Sequence, residues 1–440
     1  MSNFKRVGDF VKRSPVTVDS SLSIRETAKI MDEEKISSVV VMRNGAPYAF
    51  FTESDLRRVV GEEIDLGKPV GEFAGTRLIA VSSESSIFDA LSLMVQHGIK
   101  HLGVFEDGEL IGVITLRDVA FELGPKYIKY TARIHGAKRL EDIALAMDSF
   151  KLDLEREAMS YVDHPEIVDP YVFFSEISHV VDAMIVTAAK LIGMPADGYA
   201  YAITGSGGRS EQFLLTDRDT LAVYSDDDVL AWFSRLERTL DSLGFPGCDH
   251  GYTSDKYNFH VSQVGETCRE WSTNVEKNIV NLSLISDSRF LLGERSLLEE
   301  MKECLASKLE KNRFVIIASL RYKPALTIFG SLKEIFNYKA GAIAPVEYPV
   351  RALAITNGIM HVTNTLERIR TLVEERIIPE DMGDDLEHAY TILMRRKIWL
   401  QAQNRKEFQS SEVNPMERTL IRDALKTVKR FQGYVERNFI

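Results

Sequence analysis

The chain has 440 residues, 45% of them apolar and 27% charged, proportions ordinary for a globular protein and enough for about three domains with separate cores. A net charge of −11 disfavours a general electrostatic grip on nucleic acid, leaving room only for a local basic groove, and an acidic protein that handles a triphosphate needs cations beside it. Cys248, Cys268 and Cys304 are an odd, widely spaced set, the N-terminus lacks a signal-peptide core, and no apolar run approaches eighteen residues, so a cytoplasmic protein outside the membrane is expected.

The first 125 or so residues contain an internal repeat. Val18, Ile24, Met31, Ile36, Val41, Gly45, Thr52 and Asp55 recur as Val81, Ile87, Met94, Ile99, Val104, Gly108, Thr115 and Asp118, every pair separated by 63 positions without a gap. Each copy reads as a short strand, an amphipathic helix (24–33 and 87–96), a strand, a glycine turn, a strand, and a last helix opening at Asp55 or Asp118. The endings F-F-T-E-S-D and V-I-T-L-R-D make this segment similar to a tandem CBS pair, the Bateman module, with copies at about 7–66 and 70–125. The resemblance implies clefts for an adenine nucleotide, with Thr52, Asp55, Thr115 and Asp118 reaching phosphate and ribose. A carboxylate can accept both ribose hydroxyls, and a hydroxyl at a helix start suits phosphate. The bland alternative is that Asp55 and Asp118 cap helices. Ala49 and Phe50 stand where the second copy has Gly112 and Val113, so the bulk of Phe50 is expected to narrow the first cleft and favour the second.

Residues 126–195 read as a helical linker, with L-E-D-I-A-L-A-M and F-F-S-E-I-S-H-V-V-D-A-M at helical spacing and a break at H-P-E-I-V-D-P. It is open at this point whether it transmits the state of the repeats or only spaces them.

The most informative stretch is 205–224, G-S-G-G-R-S-E-Q-F-L-L-T-D-R-D-T-L-A-V-Y, which follows a strand-like run at 199–203. Residues two apart on a strand share a face at about 6.6 Å, so Asp217 and Asp219 face one way and Arg218 the other. Their repulsion, about 2.5 kcal/mol at an effective dielectric of about 20, becomes attraction around a divalent cation such as Mg2+ or Mn2+. The small-residue turn Gly205, Ser206, Gly207, Gly208 lets backbone N–H groups approach a phosphate, and Arg209 supplies a fork for its oxygens, held by Glu211. Glycine-serine followed by Asp-x-Asp at this spacing resembles the signature of the DNA polymerase β-like nucleotidyltransferase superfamily. With Arg209, Glu211 and the Thr-Asp-x-Asp ending it resembles the catalytic segment of the PII-protein uridylyltransferase, and also a group of nucleotidyltransferase-like proteins that carry a CBS pair ahead of it.

Asp226, Asp227 and Asp228 precede a helical pattern and read as acidic capping residues rather than metal ligands. A third carboxylate, as base or further metal ligand, has three candidates in Asp287, Asp249 and Asp255; Asp287 is preferred, with an Asp287–Arg289 structural pair as its rival. From 297 onward the chain reads as helical, and Arg351, Thr365 and Arg368 fall on positions that resemble the CBS-linked group and are placed to close over a nucleotide.

The expected architecture is a mixed α/β and α+β multidomain protein: a CBS pair over 1–125, a helical linker over 126–195, a polymerase β-like transferase domain over 196–296, and a helical domain over 297–440. The expected activity is Mg2+-dependent transfer of a nucleoside monophosphate from an NTP to an acceptor, a protein side chain, in signalling by a homodimer. The rivals are an adenine-nucleotide sensor and docking platform without catalysis, and a transferase acting on a small molecule or RNA end, which the acidic charge disfavours.

Overall fold

The computed structural model describes residues 6–11, 13–116, 118, 119, 127–161, 169–213 and 217–440. They form two compact units, one over 1–135 and one over 136–440. The division falls inside the segment expected as a linker.

In the N-terminal unit the repeat is visible in the strand ladders. Thr17–Asp19 runs parallel to Ser38–Arg43, which pairs antiparallel with Ala46–Thr52. Ala80–Ser82, His101–Glu106 and Glu109–Thr115 are joined in the same way. Val40 faces Phe50 as Gly103 faces Val113, and both hairpins shift register just after Val41 or Val104, so the spacing of 63 holds residue by residue. Asn44-Gly45 and Asp107-Gly108 close the hairpins at positive φ, the backbone that a two-residue turn demands. Ser23 and Ser86 cap the helices Ile24–Glu33 and Ile87–His97 through reciprocal bonds with Glu26 and Asp89. The helix after the first hairpin is Glu53–Gly61 with Thr52 as its cap, so Asp55 lies inside its first turn rather than opening it.

In the C-terminal unit a four-stranded sheet runs in the order Asn258–His260, Thr220–Tyr224, Tyr199–Ile203, Arg289–Gly293. The middle pair is antiparallel, with Ile203 opposite Thr220, and its apolar side chains are almost wholly buried. Leu140–Ser160 and Pro170–Ile192 belong to this unit, where Pro170–Ile192 packs on both Leu230–Ser242 and Glu380–Ala402. Asp169 and Pro170 start that helix, the Asp169 carboxylate accepting from the N–H groups of Tyr171 and Val172, while 162–168 of the expected break lie outside the described residues. By length and composition Pro170–Ile192 could cross a membrane, yet 72% of its most apolar window is buried inside the unit, as befits a core helix. The helices Ala344–Thr356, Thr365–Glu374, Glu380–Ala402 and Pro415–Phe439 pack behind the sheet domain, with a two-stranded ribbon of Ile335–Asn337 and Glu407–Gln409.

Candidate functional site

The strand Tyr199–Ile203 ends in Thr204 and a single turn of helix, Gly205–Gly208. Gly205 has φ +58°, and a Cβ there would lie 2.5 Å from Asp219 Oδ2, so only glycine lets the Asp219 carboxylate settle on the turn. The Thr204 N–H donates to the Asp219 carbonyl at 2.9 Å, stitching turn and carboxylate strand together. Gly208 is equally constrained, because a Cβ would meet the Asp287 carbonyl oxygen at 1.9 Å. Ser206 is half-buried in the turn, and Thr216 lies outside the described residues.

The strand begins only at Thr220, later than expected, and Arg218 lies just ahead of it in an isolated bridge to Gly247, buried at 1% exposure. Its Nε donates to Glu237 Oε2 at 2.8 Å and its Nη2 to Asp241 Oδ1 at 3.0 Å. Glu237 also accepts from Thr220 Oγ1 at 2.8 Å and Ser254 Oγ at 2.6 Å. This buried anchor fixes the backbone between Asp217, which is exposed, and Asp219, which is half-buried against Gly205. Burial pushes the Asp219 carboxyl up; a hydrogen bond from the Cys248 thiol and the charge of Lys339 oppose that, while Asp217 adds to it.

Two oxygen-bearing carboxylates, one of them raised by burial and repelled by the other, suit a hard divalent cation, which would relieve both penalties. Among the described residues no group of three or more ligating side chains is assembled. Two carboxylates are a donor set that Mg2+ can use together with substrate phosphates and water.

Glu211 holds Arg209 as expected, while Arg209 and Asp287 are drawn into a buried ion network. Arg209 is committed to carboxylates: its Nε donates to Glu211 Oε2 at 2.7 Å, its Nη1 to Asp287 Oδ2 at 2.7 Å, and its Nη2 pairs with Glu347 Oε1 at 3.0 Å. Asp287, 1% exposed, receives Arg351 Nε at 2.9 Å and Nη2 at 2.6 Å, and Arg368 Nη1 at 2.6 Å. With Arg209, three guanidinium groups fill its lone pairs, so it serves as a structural hub rather than as a third catalytic carboxylate. Its pairing with Arg289 does not form either; Arg289 binds Asp182. Burial acts to raise the Asp287 carboxyl, and Arg351, Arg209 and Arg368 overcome it and hold the group well below the usual range. Arg351 and Arg368 thus bind Asp287 instead of closing over a nucleotide, and the Thr365 N–H donates to Glu211 Oε1 at 2.9 Å. Asp249 is exposed, Asp255 accepts from Thr253 Oγ1 at 2.6 Å, and Asp226 caps the turn at Asp228, as its capping role required.

One residue escaped the sequence reading. Lys339 is exposed and begins a π-helical stretch, Lys339–Ile343, from which its charge reaches Asp219. Such bulges often mark functional positions. Only that backbone irregularity would have flagged it, and a lone lysine 120 residues from Asp219 carries no sequence signal.

In the N-terminal unit a cavity of about 750 Å³ is lined by residues of both repeats, including Thr52, Thr115, Phe50 and His101. Phe50 lies beside His101 with ring centroids 6.1 Å apart, and residues of both copies line this one space. Asp55 and Asp118 are not among its lining residues. Each accepts from the backbone N–H of its threonine at 3.0 Å, in a reciprocal cap of the following helix.

Comparison with known proteins separates the same parts. The family described as "Putative nucleotidyltransferase DUF294" matches residues 168–278, and its companion, described as "Putative nucleotidyltransferase substrate binding domain", matches 312–439. The CBS domain family matches 7–62 and 70–124. The CBS domain-containing protein YhcV of Bacillus subtilis is 29% identical over 115 residues, 26% of this chain and 82% of its own. An uncharacterized 17.7 kDa protein of Acidianus ambivalens is 26% identical over 117 residues, covering 26% and 71%. A solved CBS domain protein from Pyrobaculum aerophilum, complexed with AMP, is 30% identical over 27% of this chain and 92% of its own, at a TM-score of 0.26.

Proposed function

The chain belongs with the proteins that join a CBS domain pair to a DUF294 nucleotidyltransferase-like domain and its C-terminal companion, and from that premise we propose that it moves a nucleoside monophosphate from an NTP to a protein acceptor. The observation that carries this reading is the Asp219 carboxylate set against the Gly205–Gly208 turn, with Asp217 two residues before it and the intervening Arg218 anchored in the core. Mg2+ held by Asp217 and Asp219 would neutralise the triphosphate and polarise its α-phosphate. Ser206 and the backbone of Gly205, Gly207 and Gly208 would orient the outer phosphates. The acceptor oxygen bonds to the α-phosphorus as the bond to the β-phosphate oxygen breaks, releasing pyrophosphate and the acceptor's proton. The hub of Arg209, Glu211 and Asp287 acts at one remove, holding the turn against the C-terminal helices. The test is transfer of label from α-labelled NTPs into host lysate proteins, with and without Mg2+.

With Arg209 committed to carboxylates, Lys339 becomes the cation for the outer phosphates. Lys339→Ala is expected to raise the KM for NTP about tenfold, about 1.4 kcal/mol, and to leave kcat within about twofold, as loss of ground-state binding does. An unchanged KM removes Lys339 from the site.

The cavity of the CBS pair would take an adenine nucleotide and set transferase activity, a reading in line with the AMP carried by the Pyrobaculum protein. Three free thiols support a cytoplasmic setting. We assign the working form to a homodimer, and light scattering at micromolar protein is expected to give twice the 49.7 kDa chain mass. A monomer at that concentration overturns the assignment. The commitment of Asp287 to three arginines favours a second reading, in which the transferase fold is a docking platform and the nucleotide is only sensed. NTP binding that does not depend on Mg2+, with no transfer, would select it.

A further inference from the structure

We propose that the cavity shared by the two repeats selects its ligand by phosphate charge, taking a triphosphate ahead of a diphosphate and both far ahead of a monophosphate or a nucleoside. The inference rests on the reading of that cavity as a nucleotide site and adds what the site discriminates. At about 750 Å³ it is large enough for a whole nucleotide. Among the described residues its charged lining is lopsided: Arg13, Lys35, Arg57 and Lys100 face a single carboxylate, Glu53. In a chain of net charge −11 this is a local reversal of sign, and a concave wall concentrates such a field.

The cations can be recruited. Lys35 bonds Asp32 at 2.9 Å and Arg13 lies 3.8 Å from Glu34, but all four side chains are at least half exposed, and such solvated pairs hold their cations only weakly. A phosphate accepting from several of them at once gains more than these surface pairs lose. His101 adds no charge at neutral pH, because burial lowers its imidazole pKa, while its Nε2 meets Ser37 Oγ at 2.9 Å.

The route by sugar recognition is the weaker one here. Asp55 Oδ2 accepts from both the N–H and Oγ1 of Thr52, and its Oδ1 receives Arg58 Nη2 at 3.2 Å. Asp118 Oδ2 is engaged in the same way by Thr115. A ribose would compete with bonds that start two helices, whereas a phosphate meets cations held only by surface pairs.

The experiment is calorimetry on the full-length protein in EDTA, with ATP, ADP, AMP, adenosine and inorganic tripolyphosphate, on wild type and on Arg57→Ala/Lys100→Ala. Both substituted side chains are exposed, so the fold is undisturbed, and circular dichroism checks this. Affinity is expected to fall at least fivefold with each phosphate removed, tripolyphosphate to displace ATP, and the double variant to lose at least tenfold for ATP. Adenosine or AMP binding within threefold of ATP overturns selection by charge and leaves the nucleotide site standing. ATP affinity unchanged in the double variant overturns both the selection and the assignment of the cavity.

Discussion

Asp219→Asn is expected to abolish Mg2+-dependent nucleotidyl transfer, by at least a thousandfold, while thermal unfolding and the nucleotide affinity of the N-terminal unit stay as in wild type. An amide oxygen is neutral and a poor ligand for a hard cation, so the exchange removes half of the charge that would hold the metal. Asparagine keeps the shape of the side chain, and the packing over Gly205 survives, where a Cβ on that glycine would not. Burial that pushes the Asp219 carboxyl up costs nothing in the neutral amide, so the variant is expected to be no less stable. Ser206→Ala makes the contrast, because it removes one phosphate hydrogen bond among several and acts mainly on the KM for NTP. Transfer by Asp219→Asn at the wild-type rate would remove the metal site from the mechanism and leave the docking-platform reading.

Asp287→Ala is expected to destabilise the C-terminal unit by about 3–5 kcal/mol, the loss that follows when one partner of a buried ion pair is removed. The variant leaves Arg209, Arg351 and Arg368 buried with their common carboxylate gone. Urea or thermal denaturation read by the near-ultraviolet signal checks it. The linkage has a definite sign: the folded Asp287 pKa is depressed, so its stabilisation is fully present above the ordinary carboxylate range, near pH 3.8, and is lost as pH falls towards the folded value. The wild-type unit is accordingly expected to lose stability steeply below about pH 4, and Asp287→Ala to lose that part of the slope. Normal stability with abolished transfer in Asp287→Ala would return this residue to the chemistry.

Much of this was legible before any coordinates. An offset of 63 without a gap predicts two copies of one unit, and the ladders repeat it down to the hairpin bulges, since strand register follows from the alternation of buried side chains and the length of the turn. The burial of Arg218 between two less buried aspartates follows the expected alternation, although the strand itself starts only at Thr220. Asp226 was read correctly as a cap because its partner lies two residues away. Each of these is a local relation, carried by neighbours in the chain.

The roles of Arg209, Asp287 and Lys339 were not local. Arg209 looks like a phosphate ligand beside a glycine turn, and only the approach of Asp287, 78 positions away, and Glu347, further still, makes it the centre of a buried ion network. Asp287 looks like a spare carboxylate until Arg351 and Arg368 arrive from two later helices. The sharing of one cavity by Thr52 and Thr115 likewise depends on how two sheets meet. The sequence by itself determined the repeated unit, the glycine turn and the paired carboxylates, because backbone period and residue type are short-range properties. Tertiary structure alone decided which charges are neutralised and which remain for a ligand, because a charge is committed by whatever opposite charge packing brings within about 3 Å of it in a medium of low dielectric.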